Sequence, residues 1–215
     1  MASPRLLLST ALVAAATCTG PAAAPAAARS ALSAARTSVA AAYDSSCSSE
    51  NTTQPFAAWA DRADYVAAPG GSFEPADTRW SLLGGATIAD DNEPWHVSGD
   101  DTDASSLALR PGASANSPSF CGGADHPTLR LFARSANGSP ATALLTVRYT
   151  GPGDHLLAAL PLGVITAGKS WAPTSTTLTL SGLRLVTGTK LGITLTSLTG
   201  TVLFDDVYVD PYRRS

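Results

Sequence analysis

The chain has 215 residues, a length that suits one globular domain with at most a short extension. Charged residues make up 14% and hydrophobic residues 44%, so there is apolar material for a core and none of the high charge of a disordered chain. The formal net charge is -3 and no Lys/Arg run occurs, which excludes the basic face that nucleic-acid binding requires.

Residues 1–42 hold 17 Ala and no Asp or Glu; the first acid is Asp44. Arg5 makes a short positive start, and residues 6–16 form a mostly apolar stretch too short to span a bilayer. Small-residue cleavage sites follow at 22–24 and 26–28. This is the pattern of a secretory signal peptide, so residues 1–28 are expected to be removed. The mature chain is then expected to be secreted, extracellular or at the cell surface, with no stable membrane span. Twelve Arg against two Lys, with abundant Ala, Gly and Pro, fit a high-GC bacterial genome.

Removal of the leader takes Cys18 with it and leaves Cys47 and Cys121. An even count in an exported chain implies a disulfide. The bridge would close a loop of about 75 residues, worth roughly 4 kcal/mol at most in chain-entropy terms. It would tether residues 29–63, an Ala- and Ser-rich segment followed by Phe56 and Trp59, to the middle of a domain spanning 64–213. No His or further Cys lies at ligand spacing from either cysteine, so zinc is not expected.

From Asp64 onward short apolar segments alternate with turn residues. Residues 106–110 place Leu107 and Leu109 on one face, and residues 128–134 place Leu129, Leu131 and Ala133 on one face. Residues 143–149 do the same with Leu145, Val147 and Tyr149, residues 176–180 with Leu178 and Leu180, and residues 190–196 with Leu191, Ile193 and Leu195. Period-2 alternation is the strand signal. Pro69-Gly70-Gly71, Gly84-Gly85, Pro111-Gly112, Gly122-Gly123, Asn137-Gly138 and Gly151-Pro152-Gly153 supply the turns. No helical period appears after residue 64. Many short strands at this spacing predict an all-β sandwich or barrel.

Two ends of the β region carry a resemblance. Gly71-Ser72-Phe73-Glu74-Pro75, Trp80, Gly84-Gly85-Ala86 and Ser106-Leu107-Ala108-Leu109 stand near the start, and Phe204-Asp205-Asp206-Val207-Tyr208-Val209 stands at the close. This order resembles carbohydrate-binding modules of the cellulose-binding CenC type, which are galactose-binding-like jelly rolls. The segments W-S-L-x-G-G-A, N-E-P-W and D-D-V-Y-V-D-P-Y-R-R also resemble a group of exported actinobacterial proteins, a likeness that implies no activity. The first resemblance implies a jelly-roll β-sandwich with its first and last strands adjacent, Trp80 buried, and a structural calcium near them. Glu74 with Asp205 or Asp206 are the candidate ligands, since calcium takes hard oxygens. The same residues also suit the capping of backbone N–H groups at strand ends. Asp100-Asp101-x-Asp103 reads as a solvated turn.

A sugar site needs flat aromatic faces with polar neighbours. Trp95-His96 beside a turn and Trp171 before Pro173 are the candidates, although the large area of each indole favours packing on the core. Aromatic residues are only 7% of the chain. Catalytic signatures are missing: there is no G-x-S-x-G elbow, no P-loop and no G-x-G-x-x-G, and His96, His126 and His155 stand far apart. Asp90, Asp91 and Glu93 sit in one polar run that reads as a turn. The expectation is a monomeric, non-catalytic exported module that binds a glycan or cell-envelope polymer. A structural or protein-interaction domain is the alternative, and a secreted hydrolase the third reading.

Overall fold

Alternation of apolar and polar residues builds two antiparallel sheets. The structure, a computed structural model, describes residues 51–75, 79–121, 128–151, 153, 155–175 and 190–210. The expected leader at 1–28, Cys47, the Gly122-Gly123 turn and the expected strand at 176–180 lie outside those residues.

After a 3-10 turn at Ala57–Trp59, the chain runs through β1 (Val66–Ala67), β2 (Ser81–Leu83), β3 (Thr87–Ala89), β4 (Ser106–Leu109), β5 (Ser114–Asn116), β6 (Phe120–Cys121), β7 (Leu129–Ser135), β8 (Ala141–Thr150), β9 (Leu156–Ala167), β10 (Ala172–Pro173), β11 (Lys190–Thr199) and β12 (Val202–Val209). One sheet has the order β10-β7-β12-β4-β3, with β1 also paired to β12. The other has the order β2-β5-β11-β8-β9, with β6 also paired to β11. The chain passes repeatedly from one sheet to the other, as in a jelly-roll sandwich. Among the described residues no helix is long and apolar enough to cross a membrane.

The alternating segments face as their pattern predicts. Leu107, Leu109, Leu129, Leu131 and Ala133 meet Leu145, Val147, Tyr149, Leu191, Ile193 and Leu195 in one buried cluster between the sheets. Trp80 is buried with them, its ring 5.0 Å from that of Phe73, and its indole N–H donates to the Pro69 carbonyl at 3.0 Å. β9 is the long strand that alternation did not mark. It reads as an apolar run broken by Pro161 and Gly163, and it lies at a sheet edge, where a proline removes no ladder bond.

The first and last strands are neighbours, with Val66 opposite Val209 and Ala67 opposite Tyr208. The chain then stays against β12 through Gly71. A Cβ there would stand 2.9 Å from the Ala68 carbonyl oxygen and 3.0 Å from that of Val207, so only glycine allows this approach. In β12 the register to β7 shifts between Asp205 and Tyr208, and Asp206 has φ 47. The extra residue of this bulge shifts the inward parity by one: Val202 and Phe204 before it, and Val207 and Val209 after it, all reach the core.

Candidate functional site

β7 alternates, so the strand that sends Leu129, Leu131 and Ala133 inward sends Arg130, Phe132 and Arg134 to the outer face, spaced about 7 Å apart along the strand. On Phe132 a second apolar cluster gathers. It comprises Phe56, Tyr65 and Tyr208, with Trp59, Ala63, Val97 and Trp171 packed against it. Phe56 stacks on Phe132 at 5.5 Å and meets Tyr65 edge-on at 5.0 Å. Arg130 lies 4.4 Å over the Phe56 ring, and its Nη1 donates to Oδ2 of Asp61 at 2.7 Å. The Tyr65 hydroxyl donates to the same oxygen at 2.8 Å. Burial, then the Asp61 carboxylate, pushes the Tyr65 hydroxyl up to about 12. Residues 51–65 are therefore a strap fastened across the outer face of this sheet.

Trp95 stands at the rim of that cluster. It is 45% exposed, packs edge-on to Trp59 at 4.9 Å, and lies 5.5 Å from Phe132. Trp171 is half-buried; its indole N–H donates to Oδ1 of Asp91 at 3.3 Å, and Arg134 sits 5.6 Å over its ring. Arg134 also pairs with the other Asp91 oxygen. His96 follows with φ 47, its Nδ1 3.3 Å from Nδ2 of Asn92. The structure thus places Trp95, His96 and Trp171 on the outer side of one sheet. It adds Trp59, Asp91 and Arg134, which sequence reasoning had not joined to them.

Beneath Trp95 lies Glu93, with no exposed surface. Its carboxylate accepts the backbone N–H of Trp95 at 2.5 Å and of Val97 at 2.7 Å. Its own N–H donates to Oδ2 of Asp205 at 3.1 Å, and Oδ1 of Asp205 accepts the N–H of Asp206 at 2.8 Å. Asp205 is likewise unexposed. Burial, then the charge of Asp206, pushes its carboxyl up to about 9. Burial, then Glu93, pushes Asp206 up as well, with further contributions from Asp103 and Glu74. Asp206 thus feels the charges of Glu93, Asp103 and Glu74. Both Asp205 and Asp206 are buried.

Each candidate calcium ligand has its own surroundings. Glu74 caps a turn: its Oε1 accepts the N–H groups of Ala104 and Ser105 at 2.9 and 2.8 Å. Asp205 spends both oxygens on backbone N–H groups. Asp206 differs, because its buried Oδ2 accepts no N–H or O–H group and the side chain that acts on it as a neighbour is the Glu93 carboxyl. An open, buried carboxylate oxygen with other carboxylates beside it suits a hard cation in donor chemistry. Among the described residues no three acidic, His or Cys side chains are grouped as a ready metal site. The run after Gly99 divides: Asp100 closes on Thr102 as a turn, with Oδ1 2.9 Å from its N and 2.6 Å from its Oγ1, while Asp103 is buried against Ser98.

No protein-family model matches the chain, and no curated protein matches it in sequence. Among solved structures, the chain is similar to the CBM22-1 xylan-binding domain from Paenibacillus barcinonensis Xyn10C, at 13% identity over 71% of this chain and 97% of that one, with TM-score 0.48. It is similar to the CBM22-2 xylan-binding domain of the same protein at 12% identity, over 67% and 98%, with TM-score 0.47. A family 11 carbohydrate-binding module from Clostridium thermocellum, in complex with a mixed-linked tetrasaccharide, is similar at 13% identity over 67% and 95%, with TM-score 0.42. A fold does not bring a ligand with it.

Proposed function

We propose that the protein is an exported, non-catalytic module that binds a glycan or cell-envelope polysaccharide on the surface formed by Trp95, Trp59 and Trp171. One observation carries this reading: Trp95 stays 45% exposed and edge-on to Trp59, on the same outer sheet face that carries Trp171 with the Asp91–Arg134 ion pair. Exposed indole faces are unfavourable in water and suit the C–H faces of a pyranose ring. A carboxylate and a guanidinium nearby suit its hydroxyls, through charge-assisted hydrogen bonds. The test is calorimetric titration of the mature, oxidised protein with soluble xylan, mixed-linked β-glucan and cell-wall polysaccharide. Binding that Trp95→Ala abolishes supports the reading. Binding that is indifferent to Trp95→Ala, or no binding at all, refutes it.

A structural calcium belongs to the same proposal. Asp206 and Glu74 are the residues that would hold it, with Asp103 and Glu93 beside them and Asp205 behind. Its contribution would be positive charge beside these carboxyls. Calcium should then raise the unfolding midpoint over an EDTA control, and Asp206→Asn should remove the rise.

A second reading has its own observation. Leu156, Leu157, Leu160 and Val164 of β9 are exposed on an edge strand that carries no charge. Such an edge suits a protein partner. Leu156→Lys and Leu160→Lys test it: they should abolish any concentration-dependent association seen by ultracentrifugation, while leaving the unfolding midpoint in place.

A further inference from the structure

An exposed loop ending in a large aromatic ring is ordinarily free to move. The loop from Asn92 to Val97 is instead held from below at several points. Glu93 precedes Pro94, which restricts it to extended backbone. Its carbonyl accepts from Nδ2 of Asn92 at 2.8 Å, and its side-chain oxygens take the N–H groups of Trp95 and Val97. The Tyr208 hydroxyl reaches the Val97 carbonyl at 3.4 Å. Glu93 is in turn tied to β12 through Asp205.

A wholly buried carboxylate is costly, and an apolar side chain would fill the same space at less cost. What a carboxylate alone supplies is two acceptors at fixed spacing, matched here to two N–H groups two residues apart. We propose that Glu93 is the positioning residue of the aromatic surface: it holds the Trp95 loop in one conformation, so that the indole meets a ligand already oriented. The inference rests on the reading of Trp95 as a ligand contact and deepens it. Pre-organisation of this kind raises affinity by removing the cost of ordering the loop on binding.

Amide hydrogen exchange on the wild-type protein tests the lock without any ligand. The Trp95 and Val97 amides should exchange slowly although their loop is at the surface. If both exchange as fast as those of Ser98 and Gly99, the proposal is overturned, whatever the protein binds. Glu93→Gln keeps the size and one acceptor. It should speed exchange at Trp95 or Val97 by about tenfold, the loss of one charge-assisted bond, and leave β7 and β11 amides unchanged. It should also weaken binding to whichever of soluble xylan, mixed-linked β-glucan or cell-wall polysaccharide the wild type binds by about tenfold, at a temperature where the variant, its midpoint lowered by the lost bond, is still fully folded. Undiminished binding by the folded variant would make Glu93 merely structural and overturn the proposal. If Glu93→Gln does not fold, Asp205→Asn and the wild-type exchange pattern decide. If wild type binds none of the three polysaccharides while both amides are protected, the reading of Trp95 as a ligand contact fails and the lock stands.

Discussion

The backbone N–H of Glu93 donates to Oδ2 of Asp205 across a separation of 112 residues. That bond joins the loop presenting Trp95 to the bulge in β12, and the other oxygen of Asp205 closes the bulge on the N–H of Asp206. One buried side chain therefore stabilises both the irregular strand and the base of the aromatic loop.

Asp205→Ala should be severe. It leaves two buried N–H groups without acceptors, at about 1–3 kcal/mol each. Asp205→Asn retains one acceptor, and its amide resembles the neutral acid that burial favours at this position. The expected order in urea unfolding is wild type, then Asn, then Ala, with Ala lower by roughly 2–6 kcal/mol. Equal losses for the two variants would show that the N–H groups find other acceptors.

Five segments were read as strands from polar alternation. The four within the described residues, β4, β7, β8 and β11, were legible because each residue's face is settled locally. β9 was not, because an edge strand with both faces apolar has no alternation to betray it. The adjacency of the first and last strands was implied only by the family resemblance that the F-E and F-D-D-V motifs carry. The bulge that makes Asp205 and Asp206 neighbours had no signal of its own. Glu93 read as one more acid in a turn with Asp90 and Asp91, since its burial depends on Asp205, far away in the chain. Trp95 was undecided for the same reason: what covers an indole is set by partners such as Trp59 and Phe132, from two other parts of the sequence.

The strap of residues 51–65 is expected to unfold together with the sandwich. Phe56 is fully buried and touches Tyr65, Phe132 and Tyr208. Phe56→Ala should cost about 3–5 kcal/mol, the range for truncating a buried aromatic ring. A single transition seen by both fluorescence and far-UV dichroism is expected. A low-temperature transition in fluorescence alone would mean that the strap detaches independently, and with it Trp59 from the aromatic surface.

Gly71→Ala should also destabilise, through backbone contacts that cannot yield. The added methyl would meet two carbonyl oxygens at 2.9 and 3.0 Å and Cβ of Val207 at 3.1 Å. The Val207 N–H to Gly71 carbonyl bond, at 3.1 Å, is the first expected to lengthen. Faster amide exchange at Val207 should accompany a lower midpoint. An unchanged midpoint would mean that β12 can shift at no cost.

The pH dependence of stability should run against the usual acid lability of proteins. Asp205 is pushed up to about 9 and Asp206 is raised with it, both from an ordinary value of 3.8. Between the ordinary and folded values the native state binds more protons than the unfolded chain, so unfolding free energy falls as pH rises. The contribution is fully present below the ordinary value and is lost as pH climbs through the folded ones. Asp61 is shifted the other way: its hydrogen bonds with Tyr65, the Ala63 N–H and Arg130 outweigh burial and hold it below the ordinary range. Its contribution is lost only in acid, outside the window from about pH 5 to pH 9 in which Asp205 and Asp206 dominate. In EDTA the unfolding midpoint should therefore decline steadily across that window, and Asp206→Asn should flatten the decline by removing one of the raised carboxyls. Calcium should flatten it too, because a bound cation takes over the compensating charge that protons supply at low pH. A midpoint that stays level or rises toward pH 9 in EDTA would show that Asp205 and Asp206 ionise in the native state without cost, and that the cluster is better hydrated than its burial implies.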